Sequence, residues 1–495
     1  NNKTYKTQCF YLFLTLIISI FLRFWNLGFK SLWTDELYSY LFSSQNTFLN
    51  SFVFMLSDLS PPLYYTVLFG CIKLFGNTEF ILRLPSFFAG GITVIIVYCL
   101  SQKVFNKNIA LGAAILTGFS PFLIYYSQEA RPYSLFVLFC SIVTIIWAKI
   151  IKNLKQNNQD LKNLKIYTIF SLAAIFTHYW AFIPIFFQYV YLFFVSIKLK
   201  RNIKPLLNLF INIFIPSGIF FVFQYSLCKN YNVVFDKSLL RVNSSNILEQ
   251  LINQIFYNNY FLLIIFIAFL AFNFKKLVLF IKKDINENSI NSPIIYFSFL
   301  IFAALLLYLI LDKNSSFLHP RHLIFINIPF YLLTSYIIFS INKKQQLAKI
   351  VYLFVVLLVF SIFFLFYPQK IENKTFNFYT KPKQEWRDAT EYLVKNYKNG
   401  DIIITDRIKD FYNYYFNQLG HDINNFNIIF DRNMLYKNNS ILKIKDIKKK
   451  NNKIYIFSTQ LLGFDAIRQS TNSIRPACRH FERKNFVNIN FYECF

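Results

Sequence analysis

The sequence predicts an α-helical polytopic membrane protein that ends in a small C-terminal α/β domain. Three observations predict it. Apolar runs recur through the first three-quarters of the chain, and a run of about 20 apolar residues crosses the roughly 30 Å of bilayer hydrocarbon. Only 15% of the 495 residues are charged, while 55% are hydrophobic and 20% aromatic; soluble domains average about 25% charged. The 52 Lys and Arg against 24 acids give a net charge of +28, and most of that excess falls in short loops between the apolar runs.

About 11 spans follow from the runs: 9–25, 85–104, 109–126, 132–151, 166–181, 183–199, 205–226, 259–281, 293–311, 323–341 and 348–367. The first has no small-residue cleavage site behind it and reads as a retained span. Basic clusters lie at Lys3 and Lys6, at Lys103 and Lys107, and at Lys152, Lys155, Lys162 and Lys165. Further clusters are Lys198, Lys200, Arg201 and Lys204; Lys275, Lys276, Lys282 and Lys283; and Lys343, Lys344 and Lys349. With alternating spans all of them share one side, which makes that side cytoplasmic. Basic residues scattered in this way do not form a nucleic-acid-binding face. The segment "PPLYYTVLFGCIKLFG", 61–76, is apolar but short and opens on two prolines. Counted as a span it would send every later lysine cluster outside, so it reads as an interfacial half-helix.

The division is therefore a transmembrane domain, 1–368, and an extracytoplasmic α/β domain, 369–495, whose regular elements begin near 379. "EWRDATEYLVKNY" has the pattern of an amphipathic helix and "GDIIITD" of a strand. "DFYNYYFNQL" reads as a helix, and "FNIIF", "KIYIFS" and "FVNINFYEC" as strands. Alternating elements of this kind build a small α/β layer. It holds no glycine-rich phosphate loop, and its role is either to bind or cover an acceptor or to pack as a module. None of the seven cysteines forms a CxxC pair, so no zinc or thioredoxin-like motif is present. Cys478 and Cys494 are candidates for a disulfide if the tail lies outside.

The outer loops hold the polar chemistry: "WTDELYSY" (33–40), "SDLSPP" (57–62), "SQEARPYS" (127–134), "THYW" (177–180) and "HPRHL" (319–323). Acids, histidines and arginines gathered on one side of a span bundle mark a site and not a lipid-facing surface. Asp35 and Glu36 are the candidate catalytic acids. They either open a helix, where acids suit the dipole, or one serves as the general base that takes an acceptor's proton. Asp58 is a second acid, and an Asx turn before the proline pair is its plainer role. Glu129 and Arg131 either snorkel at the interface or engage different partners, since residues two apart do not face each other on a helix. Arg131 and Arg321 carry the planar fork that binds phosphate in a bidentate way, and Gln128 suits a sugar hydroxyl. Tyr133, His178, Tyr179 and His319 complete the candidate substrate-binding set. His178, His319 and His322 are either hydrogen-bonded structural groups, a source of positive charge beside a phosphate, or a metal site.

Taken in order, the acid pair after the first span, "PPLYY", "RLPS" at 83–86, "SPFLIYYSQEARPYS" at 120–134, "THYW" and the late "PR" before a span resemble the GT-C superfamily. The branch is the bacterial one related to protein O-mannosyltransferases and to the lipid A aminoarabinose transferase. The likeness is strongest over 25–135, weaker to 325, and absent as motifs in the tail. It implies a GT-C fold and a membrane glycosyltransferase that takes a sugar from a polyprenyl-phosphate carrier, with inversion, on the outer side of the cytoplasmic (inner) membrane. Membrane lipids and that carrier are the implied partners; the acceptor is open among lipid, glycan and protein. By position Asp35 is similar to the family's catalytic acid, and Arg131 and Arg321 to arginines that hold the lipid phosphate. Where many relatives carry His before "PP" this chain has Ser60. Some relatives bind a divalent metal and some do not, so a metal is possible and none is assigned.

Two other readings stand beside this one. A transporter or flippase of lipid-linked sugars would call for midplane charges, broken helices and internal repeats, and no repeat or mid-span charge is visible. A receptor built around the tail would leave the acids of the first loop without a task.

Overall fold

A computed structural model describes residues 2–58, 60–157, 161–230, 274–288, 292–312, 320–341, 346–366, 369–371, 374–376, 385–405, 409–430, 453–459, 481–486 and 489–494. In chain order the helices are α1 (Asn2–Phe24), α2 (Thr34–Ser43), α3 (Phe48–Leu56), α4 (Leu63–Phe75), α5 (Glu79–Val104), α6 (Lys107–Gly118), α7 (Pro121–Ser127), α8 (Tyr133–Lys155), α9 (Leu161–Thr177), α10 (Phe182–Lys198) and α11 (Lys204–Asn230). Then come α12 (Phe274–Asn288), α13 (Pro293–Asp312), α14 (Asn327–Ile341), α15 (Gln346–Phe366), α16 (Trp386–Asn396) and α17 (Lys409–Gln418). Short 3-10 segments, Tyr179–Ala181 and Pro320–Ile326, precede α10 and α14. The chain divides into two compact units: 1–25, 46–74 and 83–367 in one, and 26–45, 75–82 and 368–495 in the other.

The first unit is a multi-pass helical bundle. Among the described residues, seven helices are long and apolar enough to cross a membrane, or eight if α6 and α7 are one span bent by 58°. The span expected at 109–126 is this bent pair. Pro121 cannot continue α6, and Ser120 restarts the helix by accepting the Leu123 amide at 3.3 Å. The carbonyls freed at the break are met by Arg23, fully buried near the end of α1. Its Nη1 donates to Gly118 O at 2.8 Å and its Nη2 to Thr117 O at 3.2 Å. The run expected at 166–181 stops at Thr177, and His178 separates it from the 3-10 turn that opens α10. The apolar segment at 61–76 is the 13-residue helix α4, too short to span. Of the span expected at 259–281, residues 259–273 lie outside the described residues. The rest belongs to α12, which runs on through Lys282, Lys283 and Asp284 to Asn288.

The bundle core runs along α8, which packs on α9, α10, α14 and the 3-10 segment before α14. A polar network crosses it. Gln188 Nε2 donates to Thr144 at 3.1 Å, Tyr167 donates to Gln188 Oε1 at 3.0 Å, and Trp147 Nε1 donates to Gln188 O at 3.0 Å. In a bundle such bonds contribute about 0.6 kcal/mol each, so their larger effect is to fix register. Small residues let helices close up: a Cβ on Gly90 would sit 2.1 Å from Ser127 Oγ. Phe13, Ile17, Phe88, Ile219 and Phe302 are exposed, as lipid-facing residues are.

The second unit is built on a five-stranded sheet of order β4-β3-β5-β7-β6, from β3 (Ile402–Thr405), β4 (Ile428–Phe430), β5 (Ile454–Thr459), β6 (Phe481–Phe486) and β7 (Ile489–Cys494). The ribbon of β1 (Gln369–Ile371) and β2 (Lys374–Phe376) precedes them. β3 pairs in parallel with β4 and β5, and β7 antiparallel with β5 and β6. The helix expected at "EWRDATEYLVKNY" is α16, which buries Trp386, Ala389, Thr390 and Leu393, the i, i+3, i+4, i+7 stripe of an amphipathic helix. Strand β6, "FERKNF", escapes the sequence reading because Glu482, Arg483 and Lys484 break the apolar alternation. It is an edge strand, where charges deter further pairing. Cys494 is disulfide-bonded, and Cys9, Cys71, Cys99, Cys140 and Cys228 are free. Cys478, the other half of the expected pair, lies outside the described residues.

Candidate functional site

The bundle brings together residues of five separated motifs. Arg131 follows α7 on a tight turn, its amide donating to Glu129 O at 2.8 Å. Its own carbonyl accepts from Ser86 Oγ at 3.0 Å, and Ser86 Oγ lies 3.1 Å from Tyr64 OH. This chain ties "EARP" to "RLPS" on α5 and "PPLYY" on α4. Beside it Tyr65 is fully buried. Burial pushes its phenol up to about 12, with the Arg131 guanidinium pulling it down and the Asp58 carboxylate pushing it further up. Asp58, Tyr65 and Arg131 thus share one electrostatic neighbourhood.

The late "PR" motif enters the same neighbourhood. Arg321 Cζ lies 5.6 Å from the Tyr133 ring centroid, a cation–π contact. Tyr133 packs edge-on against Tyr126 at 4.8 Å and lies 5.6 Å from the His178 ring. His178 stacks on Phe136 at 5.1 Å and approaches His322 at 5.8 Å, while His322 stacks on Trp180 at 4.8 Å and 9°. His178 Nδ1 accepts the Trp180 amide at 3.3 Å. Burial, then Arg131, then Arg321 push His178 down to about 3. It is therefore a neutral imidazole with its proton on Nε2, and the positive charge expected from a protonated His178 is absent. Among the described residues no group of three or more His, Cys, Asp or Glu side chains is arranged to hold a metal ion. His319 lies outside the described residues.

Two members of the expected set have structural partners. Gln128 donates through Nε2 to Leu22 O, Arg23 O and Trp25 O at 3.2, 3.1 and 2.9 Å, closing the end of α1. Tyr179 donates to Gln224 Oε1. Gln224 Nε2 in turn donates to Asp58 O at 2.6 Å and Ser60 O at 3.0 Å, holding the loop that carries Asp58. Tyr64, Tyr65, Ser86 and Gln224 were not singled out from the sequence. The available signal for Gln224 is a lone amide in the apolar run "FFVFQYS"; that for Tyr64, Tyr65 and Ser86 is their place within "PPLYY" and "RLPS".

In the second unit, α2 carries both acids of the first loop. Glu36 is buried, and its Oε2 accepts the Trp33 amide at 3.2 Å, the back-reaching half of a capping box. Asp35, one residue earlier, is half-buried in the first turn.

The fold is the GT-C fold expected from the sequence motifs, as its likeness to solved structures shows. A family model described as dolichyl-phosphate-mannose-protein mannosyltransferase matches residues 60–220. Within the fold the chain is similar to ArnT from Cupriavidus metallidurans in the apo state, with a TM-score of 0.57 at 9% identity over 97% of each chain. ArnT bound to undecaprenyl phosphate gives a TM-score of 0.54 at 9% identity, again over 97% of each chain. The archaeal oligosaccharyltransferase AglB from Archaeoglobus fulgidus, in complex with an inhibitory peptide and a dolichol-phosphate, gives 0.51 at 12% identity, covering 95% of this chain and 72% of that one. No curated protein matches the chain by sequence.

Proposed function

We propose that this protein is a membrane glycosyltransferase that moves a sugar from a polyprenyl-phosphate carrier to an extracytoplasmic acceptor, with inversion at the sugar carbon. It resides in the cytoplasmic membrane, with the reaction and the tail on the outer side. One observation carries this reading: Arg131 and Arg321, from loops far apart in sequence, converge on the half-buried, neutral His178, Arg321 by way of the Tyr133 ring. Two guanidiniums held beside an uncharged imidazole suit a phosphate. The two guanidiniums supply the charge, and Nε2 of the neutral His178 is an N–H donor.

In this scheme Arg131 and Arg321 hold the carrier phosphate. Asp35 takes the proton of the acceptor's O–H or N–H as that atom bonds to the sugar carbon. The carbon–oxygen bond to phosphate breaks on the opposite face, and its electron pair leaves with the polyprenyl phosphate. A preorganised donor aimed at developing charge lowers a barrier by about 2.7–4 kcal/mol, and the leaving phosphate needs no acid beyond the arginines. Asp58, Tyr65 and Tyr133 are the groups left to contact the sugar. Glu36 seats the helix that presents Asp35. The structures of ArnT with undecaprenyl phosphate and AglB with dolichol-phosphate support a polyprenyl-phosphate donor.

Mass spectrometry of envelope glycans and lipids, with and without the gene, tests this directly. A sugar-bearing species should disappear on deletion, return with the wild-type gene, and stay absent with Asp35→Asn. Transfer by the purified protein in detergent, where no compartments exist, separates the enzyme from a transporter.

A further inference from the structure

We infer that the tail acts on the reaction as a clamp that positions the base-bearing helix, with Arg387 and Tyr415 as its positioning residues. This rests on Asp35 being the base. The contacts all lie within the second unit. Tyr415 OH, on α17, accepts the Leu32 amide at 2.7 Å and donates to Glu79 Oε1 at 3.2 Å. Glu79 Oε2 pairs with the Arg387 guanidinium on α16. Arg387 Nη1 donates to Phe29 O at 3.2 Å, and the Arg387 amide donates to Ser31 Oγ at 3.3 Å. One connected network thus grips residues 29–32, directly ahead of Trp33 and the first turn of α2.

A second grip lies at the other end of that helix. The Tyr40 ring packs edge-on against Tyr414 at 4.7 Å, and its hydroxyl accepts from Asn77 Nδ2 at 3.3 Å. Asn77 O accepts from Tyr414 OH at 3.0 Å. The loop meets Phe80 so closely that a Cβ on Gly28 would lie 2.9 Å from Phe80 Cβ. Leu32 and Tyr415 are buried, so removing the hydroxyl would leave a buried amide without its partner. The Arg387 guanidinium and the Tyr414 and Tyr415 hydroxyls are taken up by these contacts. Their common effect is to fix where α2 starts and how it is turned, which sets the direction of Asp35. A base displaced by about 1 Å loses roughly 10²-fold in rate.

The test uses full-length protein in its native host. The readout is the glycan species that vanishes on deletion, together with two measurements on purified protein: undecaprenyl phosphate affinity and hydrogen exchange over residues 29–40. Tyr415→Phe and Arg387→Gln should each lower the glycan signal about 10-fold, and the pair about 10²-fold. Exchange at Leu32 and along α2 should rise while undecaprenyl phosphate affinity stays within about twofold. Arg387→Lys, which keeps the charge on Glu79, should recover part of the signal. A fall in carrier affinity parallel to the fall in signal would make the tail a general packing module and overturn the inference. So would unchanged exchange beside a lost signal. Full signal in Asp35→Asn would remove the base assignment itself. Full signal in the Tyr415→Phe, Arg387→Gln pair beside a silent Asp35→Asn would overturn the clamp alone.

Discussion

The two units solve opposite problems of placement. The candidate site of the bundle draws single residues from separate motifs: Asp58 before α4, Arg131 before α8, His178 before α10 and Arg321 before α14. Each sits where a helix stops or starts, and helix packing plus the Tyr64–Ser86–Arg131 chain hold it. The second unit keeps its two acids adjacent in one helical turn and divides them by burial. Glu36 turns back to the Trp33 amide, while Asp35 stays half-buried. Where residues are borrowed from many elements, the scaffold supplies the precision. Where one helix carries the proposed base, that helix itself must be held, and the contacts of α16 and α17 with residues 29–32 are placed to hold it.

The sharpest way to break the comparison is to neutralise one acid at a time. Asp35→Asn should lower transfer by about 10²–10⁴-fold, the range of a lost general base, read as the envelope glycan signal. Glu36→Ala, which removes the acceptor of the Trp33 amide, should instead cost about 0.5–2 kcal/mol, the range for a lost cap, seen as a lower melting temperature with transfer largely kept. Equal loss of transfer in both would erase the distinction. On the bundle side, Arg131→Ala should weaken undecaprenyl phosphate binding by about 2–5 kcal/mol, as for truncating one partner of a buried charge pair. Arg131→Lys should lose less, because a point charge replaces a fork.

Smaller effects sharpen the picture of the bundle. His178 has an ordinary value of 6.5 and is held down to about 3 in the fold. Between those values the unfolded chain takes up a proton that the folded chain refuses. The contribution is fully present above about 6.5 and is lost as pH falls toward about 3. Melting temperature should therefore fall between pH 7 and pH 5, and His178→Gln should flatten that slope. Gly90→Ala, whose Cβ would meet Ser127 Oγ at 2.1 Å, should cost about 1–3 kcal/mol as an overpacked contact, measured as a lower melting temperature.

Hydropathy made most of the bundle legible, because a bilayer leaves the backbone few choices. The first-loop acids, "EARP" and "PR" were legible as charges placed at span ends. The 58° break at Pro121 was not, since hydropathy averages across it. Nor was the division of labour between Asp35 and Glu36, because one residue's difference in position decides which carboxylate reaches the Trp33 amide. Gln128 and Tyr179 are read from the sequence as substrate ligands, and the fold adds that their polar atoms meet a helix end and Gln224. A sequence shows that a polar group needs a partner but not which backbone carbonyl the fold will offer it. The grip of α16 and α17 on residues 29–32 was hidden because it joins segments more than 350 positions apart, as in the contact of Arg387 with Phe29.

The most direct measurement is undecaprenyl phosphate affinity of purified Arg131→Ala, Arg321→Ala protein beside purified Asp35→Asn protein. The expected result is lost binding in the first and wild-type binding without transfer in the second. Wild-type affinity in the double arginine variant would contradict the assignment of phosphate binding to the bundle.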